Sequence, residues 1–379
     1  MIVVGDAFRC LAIDVTCTTS LGRDFGFVDV PDLESEMFLV GRPFGRMNMV
    51  TRQVGHWLFE VLRAPARWAK GVESASPGTI RILRFRNVSW YRETSHPWIV
   101  FCSSFHTNYV PCSQMIMQAI TDDYLAATAA VGEKADGNIA KEESSVVFKT
   151  AVQHILNSNL PADEKAMRRV VDEVWLIINA GIETEGVFMT FATFELLSHP
   201  EKLARLREEL GECERKLGRL PSFQELRELP YLTGVILESF RLNHPVSSRL
   251  PRYDPNNDMK YGDTVIPKGV HVSISLYDIY LNPDIFPNPH AFEPERWLNQ
   301  EDRRRLRKYV NNFGRGPRSC IGVDVANMEI YLTLGRLFAP SAGFDMELHD
   351  TDYEHDVAFY YDYFGAFPKS TKNVRAKVI

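Results

Sequence analysis

Apolar side chains recur at helical spacing along most of this chain and predict a mainly helical fold. The most regular segment is 163–197, and its middle, 170–194, is nearly apolar. A helix that is apolar on most sides is buried at the centre of a fold. The same period predicts further helices at 7–21, roughly 34–70, 113–131, 146–156, 201–217, 231–242 and 323–338.

Strand patterns are confined to the later part of the chain. Glycine and proline punctuate alternating apolar residues at 260–274, which predicts a short sheet, and 344–378 is irregular or strand-like. Residues 132–143 are polar and 283–294 are proline-rich, so both are predicted loops. Residues 74–111 show no clean period and receive no assignment. The predicted fold class is mainly α with a small β portion (α+β).

Composition narrows the class of partner. The chain has 379 residues, 45% of them hydrophobic, and a formal net charge of -6 with its basic residues spread along the sequence. This composition is typical of a globular protein with a substantial core and argues against nucleic acid as a partner. No window of about 20 apolar residues and no export signal is recognisable, so no membrane span is predicted.

The six cysteines do not form a disulfide framework. They are scattered without regular spacing, and no CxxC pair suggests zinc. A reducing intracellular compartment fits this usage best. The chemistry of interest therefore rests on an individual cysteine rather than on a cross-linked set.

The strongest chemical signal is a glycine-rich loop whose cysteine directly precedes a predicted helix. It reads Phe313-Gly-Arg-Gly-Pro-Arg-Ser-Cys320-Ile-Gly322. The helix N-terminus and free backbone N–H groups favour a thiolate at Cys320. Gly316 and Gly322 permit close backbone approach, Phe313 can shield the sulfur, and Arg318 can offer a guanidinium to an acidic group. The alternative is a glycine-rich turn with one buried cysteine.

This loop resembles the haem-ligand loop of the cytochrome P-450 family, FxxGxRxCxG, at all five fixed positions. The resemblance implies haem b, iron protoporphyrin IX, with Cys320 as the axial thiolate and metal ligand. It also implies that the haem is contacted by Phe313, Gly316, Arg318, Ile321 and Gly322, with Arg318 directed to a propionate. The implied fold is that of the family.

A second motif lies in the long predicted helix. Ala180-Gly181-Ile182-Glu183-Thr184 resembles the family's oxygen-activating AGxET motif. Gly181 removes side-chain bulk where O₂ must sit, and the acid and alcohol of Glu183 and Thr184 can relay protons. The alternative is a small-residue helix contact. Glu185 departs from the family pattern, which more often has Thr or Ser there.

A third constellation is predicted to be structural. Glu238 and Arg241 are three apart on one face of an apolar helix, so their charges are predicted to be buried and to need further partners. The resemblance supplies Arg296, in a segment similar to the family's PERW sequence, and implies a network behind the haem loop. Arg249, in a smaller match, is a candidate for a second contact to a propionate.

The resemblance extends from about residue 142 to the C-terminus and is closest to fungal members of secondary metabolism. Residues 8–27 also resemble an earlier family helix. The anchor and first helices are missing from the pattern, so residues 1–379 are interpreted as a single, N-terminally truncated domain, incomplete at its N-terminus. Segment 78–112 does not resemble the family. Two explanations are a retained intron that is translated in frame and a divergent loop over the substrate pocket.

The function implied is a haem-dependent monooxygenase that inserts one atom of O₂ into an apolar organic substrate, such as a terpenoid or polyketide. Electrons would come from NADPH through a separate reductase, since no GxGxxG fingerprint is present. A haem-thiolate isomerase, dehydratase or peroxide-driven enzyme and a non-catalytic haem-binding remnant are the alternatives. Anchored relatives lie on the endoplasmic reticulum; for this chain the location is cytoplasmic or unknown.

Overall fold

The structure, a computed structural model, describes residues 1–29, 111–135, 150–341, 343–370 and 372–379. The helical region predicted at 34–70 lies outside these residues. So does nearly all of the atypical segment 78–112. The account below concerns the described residues only.

Helices dominate the described residues, as the apolar period predicts. They are α1 (Val4–Leu21), α2 (Pro111–Ala135), α3 (Ala151–Leu156), α4 (Met167–Ser198), α5 (Pro200–Leu217), α6 (Phe223–Arg227), α7 (Pro230–Leu242), α8 (Leu276–Tyr280), α9 (Gln300–Leu306) and α10 (Val323–Leu337). The helices predicted at 7–21, 201–217, 231–242 and 323–338 are confirmed. The loop predicted at 132–143 is wrong at its start, because α2 continues to Ala135.

Local sequence explains where several helices begin and end. The Ser222 hydroxyl accepts from the backbone N–H of Glu225, and the Glu225 side chain accepts from Ser222, which closes a capping box at α6. Proline occupies the first turn of α5 and α7, where no N–H is needed. Gly218 ends α5 with φ of 68°, a left-handed conformation that suits glycine.

The β portion is small, as predicted. Strands β2 (Met259–Tyr261) and β3 (Thr264–Ile266) form an antiparallel hairpin at the predicted short sheet. Near the C-terminus, β5 (Tyr361–Tyr363) pairs with β6 (Gly365–Phe367). The remaining sheet has the order β1-β7-β4, formed by β1 (Ile2–Val3), β7 (Arg375–Val378) and β4 (Met346–Leu348). Strand β7 thus pairs with the first residues of the chain.

The described residues belong to two compact units. One comprises 1–12 and 181–379, and the other comprises 13–180, so the division falls inside α1 and α4. The first unit contains a large apolar core that includes Phe188, Leu232, Trp297 and Leu334. The second buries Cys17 and Ile116 among other apolar side chains. Within the described part of the chain, no helix combines the length and hydropathy that crossing a membrane requires.

Candidate functional site

The loop that carries Cys320 is held by its own backbone. The amide of Cys320 donates to the carbonyl of Phe313 at 2.8 Å, and the amide of Ser319 donates to the carbonyl of Gly316 at 3.0 Å. Gly316 has φ of 76°, in the left-handed region where a side chain would be strained. Glycine at position 316 of the motif is therefore a requirement of this backbone path.

The sulfur lies close to the start of a helix. Cys320 is a free, exposed cysteine, and α10 begins three residues later, with Gly322 as its N-cap. The carbonyl of Gly322 accepts from Ala326 at 2.9 Å and so starts the helical ladder. The partial positive charge at a helix N-terminus stabilises a nearby thiolate. Cys320 thus lies next to the positive end of α10.

The residues around this cysteine fit a haem. Ile321 is 88% exposed, which is unusual for a branched apolar side chain and suits a large apolar ligand. Arg318, on the same loop, is exposed. Arg249, which follows α7 in the chain, is also exposed. Phe313 packs edge-on against Phe240 with ring centroids 5.2 Å apart. The loop thus offers a sulfur donor, an apolar contact and a cation for an acidic group.

The predicted proton-relay residues lie on α4, and Glu183 has a partner that the sequence did not reveal. Arg9, from α1, donates through Nε to both Glu183 carboxylate oxygens at 3.1 Å. The Arg9 side chain is 8% exposed and that of Glu183 is 33% exposed. Arg9 also contacts Asp6 through Nη1 at 3.4 Å. Thr184 follows Glu183 in the same helix, after Ala180 and Gly181.

A glycine makes the approach of Arg9 possible. A Cβ atom at Gly186 would lie 2.6 Å from Cγ of Arg9 and 3.5 Å from its backbone nitrogen. Those distances leave no room for a side chain at position 186. No motif in the sequence marks Arg9, because its partner lies 174 residues away.

The predicted structural network comes together in the fold. Arg241 and Glu238 form two hydrogen bonds, Nε to Oε2 at 3.0 Å and Nη2 to Oε1 at 2.8 Å, with both side chains fully buried. Arg296 adds a contact from Nε to Oε1 of Glu238 at 3.0 Å. Two more groups donate hydrogen bonds to the Glu238 carboxylate: the indole N–H of Trp297 to Oε2 at 2.9 Å and the backbone N–H of Glu293 to Oε1 at 3.0 Å. Sequence reasoning missed the last two donors.

Hydrogen bonds lead from this network to the cysteine loop. Nη1 of Arg241 donates to the carbonyl of Tyr280 at 2.9 Å. The Tyr280 hydroxyl donates to Oδ1 of Asn312 at 2.9 Å and accepts from the amide of Asn311 at 2.7 Å. Asn312 in turn donates to the carbonyl of Phe240 at 2.7 Å. The start of the loop, immediately before Phe313, is thereby tied to α7.

A separate cavity of about 960 Å³ lies in the larger unit. Its lining includes Phe191, Glu195, His199 and His244 but neither Cys320 nor Thr184. Burial raises the pKa of Glu195 to about 7, and burial lowers the pKa of His244 to about 4. The residues predicted to bind haem on the Cys320 loop do not line this cavity, whereas Arg9, the partner of Glu183, does.

Comparison with known proteins points to the same family as the sequence of the Cys320 loop. Residues 98–354 match the family model for cytochrome P-450, and the match begins inside segment 78–112. The chain belongs to the cytochrome P-450 family, which confirms the resemblance and the mainly α fold class. Membership implies a haem cofactor with thiolate ligation.

Similar proteins are fungal monooxygenases of this family. A cytochrome P-450 monooxygenase of Sordaria araneosa is 42% identical over 60% of this chain and 44% of its own length. One of Ascocoryne sarcoides is 30% identical over 97% of this chain and 65% of its length. A third, of Fusarium sporotrichioides, is 36% identical over 61% of this chain and 43% of its own length. The matched regions thus span 43% to 65% of the length of these relatives.

Proposed function

We propose that this chain carries the haem site of a monooxygenase that acts on an apolar organic substrate, with haem b ligated by Cys320. The observation that carries the proposal is the Cys320 loop. Its cysteine amide is fixed on the carbonyl of Phe313, and its sulfur precedes a helix N-terminus beside the exposed Ile321. Bound haem would supply activation of O₂, so that one oxygen atom enters a substrate C–H bond and the other leaves as water, with two electrons and two protons consumed.

The proximal residues bind and orient. Phe313, packed on Phe240, would limit water access to the sulfur. Arg318 and Arg249 are the candidates for the haem propionates, and both are exposed. The buried pair Glu238 and Arg241, with Arg296, would hold the loop through Tyr280 rather than take part in chemistry.

The distal residues would move protons. The Glu183 side chain is one third exposed, and the Thr184 hydroxyl follows it on α4, so the two groups are the acid and the alcohol of the proposed relay. The ion pair with Arg9 restricts the orientation of that carboxylate. Gly181 would leave space for O₂, next to Ala180.

The electron donor would be an NADPH-dependent reductase with an acidic docking face. Residues 301–318 contain seven arginines and lysines but two acidic residues, in a chain of net charge -6. This segment leads directly into the cysteine loop, and Arg304, Arg305, Lys308, Arg315 and Arg318 are exposed. Charge of one sign near a redox centre steers a partner of the opposite sign.

The choice of substrate class rests on the resemblance to fungal members of secondary metabolism. We propose a secondary metabolite, such as a terpenoid or a polyketide. The similarity to monooxygenases, together with the acid and alcohol at Glu183 and Thr184, supports oxygen insertion over isomerisation or dehydration, which do not use O₂ and need no proton relay to it.

The first test is a reduced, carbon-monoxide difference spectrum of the purified chain loaded with haem. The Soret band of a thiolate ligand is expected in the parent protein and in Cys213→Ala, a control at a half-buried cysteine of α5. Cys320→Ala should abolish the band. A band that survives in Cys320→Ala, or no haem binding by the parent protein, would refute the proposed site.

The second test concerns the proton relay. With reductase and NADPH, Thr184→Ala should keep the thiolate spectrum but divert oxygen to peroxide, because the hydroxyl that passes the proton is gone. We expect the fraction of NADPH that ends as peroxide to rise severalfold, because a positioned proton donor speeds the step that it serves by ~10²–10⁴. An unchanged fraction would remove Thr184 from the relay.

A further inference from the structure

Two buried carboxyl groups meet between α4 and α10. Glu185 follows Thr184 on α4 and is 6% exposed, and Glu329 lies on α10 and is 3% exposed. Their side chains are within hydrogen-bonding distance of each other. The family resemblance assigns neither residue a role.

The two groups cannot both be carboxylates at an acceptable cost. Both oxygens of Glu329 and Oε2 of Glu185 are buried without a hydrogen-bond donor among the described residues. Carboxylates only accept hydrogen bonds, so two ionised groups would repel each other and leave these atoms unsatisfied. A proton on either group creates the missing donor and removes the repulsion.

Among the described residues, no cation offsets the negative charge of Glu185 and Glu329. Burial is the main influence on both groups, and it raises the pKa of Glu185 and that of Glu329, with the neighbouring Glu185 raising the latter further. Arg9 lies against Gly186 nearby, but its guanidinium contacts Glu183 and Asp6. The charge balance of the site therefore depends on a proton.

We propose that Glu185 and Glu329 share one proton as a hydrogen-bonded carboxylic acid and carboxylate, and that this bond positions Thr184 relative to the cysteine loop. Glu185 is the neighbour of Thr184 in sequence, and Glu329 lies on the helix that begins three residues after Cys320. The bond thus joins the helix of the proton relay to the helix of the thiolate. The positioning role rests on the proposed function, but the shared proton does not.

The shared proton is tested by the pH dependence of unfolding in urea. Because the native pKa lies above the unfolded value of ~4.3, the native state holds an additional proton, and its stability falls as pH rises from there toward the native pKa. The double variant Glu185→Gln/Glu329→Gln keeps a donor and an acceptor but cannot titrate. Relative to it, the parent protein should lose about tenfold in folding equilibrium constant per pH unit across neutrality.

Infrared spectroscopy provides an independent readout. At about pH 8, above the pKa of Glu195 of about 7, the parent protein should retain the carbonyl stretch of a protonated carboxyl group. The double variant should lose this band, whereas Glu347→Gln, at an exposed residue of β4, should keep it and also keep the pH slope. A double variant with the parent's slope and band would refute the shared proton.

The positioning role needs a readout from the haem-loaded protein. Glu185→Ala should keep the thiolate spectrum but increase the fraction of NADPH that ends as peroxide, by about twofold or more. Glu185→Gln should restore the parent value, because its amide can donate to Glu329. Equal coupling in Glu185→Ala and the parent protein would refute positioning. If the proposed function were wrong, the parent protein itself would lack the thiolate spectrum. That outcome would not depend on how its unfolding stability changes with pH.

Discussion

At the residue scale, the best-defined feature is the guanidinium of Arg241. It has no solvent exposure, and protein acceptors take the place of water. Its N–H groups donate hydrogen bonds of 2.6–3.0 Å to the Glu238 carboxylate and to the carbonyls of Tyr280, Pro289 and Ala291. A buried charge is tolerated when a partner and further hydrogen bonds replace water. The planar fork of arginine matches this arrangement of acceptors, and lysine does not.

Removing this guanidinium should therefore be costly. Arg241→Leu leaves the Glu238 carboxylate without its main partner, and loss of one member of a buried pair costs about 3–5 kcal/mol of unfolding free energy. Urea unfolding followed by circular dichroism measures the change.

A matched control is Arg305→Leu. Arg305 pairs with Asp302 at 3.2 Å, but both side chains are about half exposed, so the expected cost is within about 0–1 kcal/mol. Equal losses in the two variants would show that the buried network does not stabilise the fold.

The sequence reached some of these residues and not others for a physical reason. Cys320, Glu238 and Arg241 stand in short motifs whose spacing is fixed by one loop or one helical turn. Arg9 and Trp297 act on partners 174 and 59 residues away, so local spacing carries no trace of them. Such contacts are set by tertiary packing.

At the element scale, α7 packs very closely on the turn Pro294–Trp297. A Cβ atom at Gly234 would lie 2.7 Å from the carbonyl oxygen of Pro294 and 3.6 Å from Cβ of Trp297. The obstacle is backbone, which cannot turn aside as a flexible side chain can. This close approach lets Trp297 and Arg296 reach Glu238.

Gly234→Ala should accordingly destabilise the protein despite alanine's better helix propensity. Forcing α7 away from the turn should cost about 1–3 kcal/mol net, as overpacking does elsewhere. Thermal or urea unfolding measures the loss.

Gly211→Ala on α5 is the control for this substitution. There the new Cβ would lie 3.2 Å from Cγ of Pro340, a smaller conflict. The helix propensity gain of about 0.5–1 kcal/mol should offset it, leaving stability near that of the parent protein. A Gly234→Ala variant as stable as Gly211→Ala would contradict the close packing.

Element boundaries followed the strength of the sequence pattern. Helices α5, α7 and α10 were predictable because an apolar period runs through them and Pro or Gly marks an end. The strands β4 to β7 have three or four residues each, too few to establish a period of two. The pairing of β1 with β7 joins the two ends of the described chain, which no local pattern encodes.

At the scale of the whole molecule, the sequence predicted the family and the mainly α fold class correctly but not the electrostatic surroundings of the candidate site, and Cys320 as the haem ligand stays a prediction. The family model and the α-rich fold agree with the motifs. The ion pair of Arg9 and the carboxyl pair of Glu185 and Glu329 depend on which helices pack together. Charge placement of this kind is a property of the fold.

Haem binding should raise the stability of the whole chain by mass action. A ligand that binds only the folded state adds ~2.7 kcal/mol at a free concentration 100 times its dissociation constant. Urea unfolding of the protein with increasing haem should therefore show a midpoint that rises with haem concentration. Cys320→Ala should show a much smaller rise, because the axial bond is lost, whereas Cys213→Ala should follow the parent protein. If haem raised the midpoint of Cys320→Ala as much as that of the parent, the stabilisation would come from apolar contacts such as Ile321, and thiolate ligation would contribute nothing to the fold.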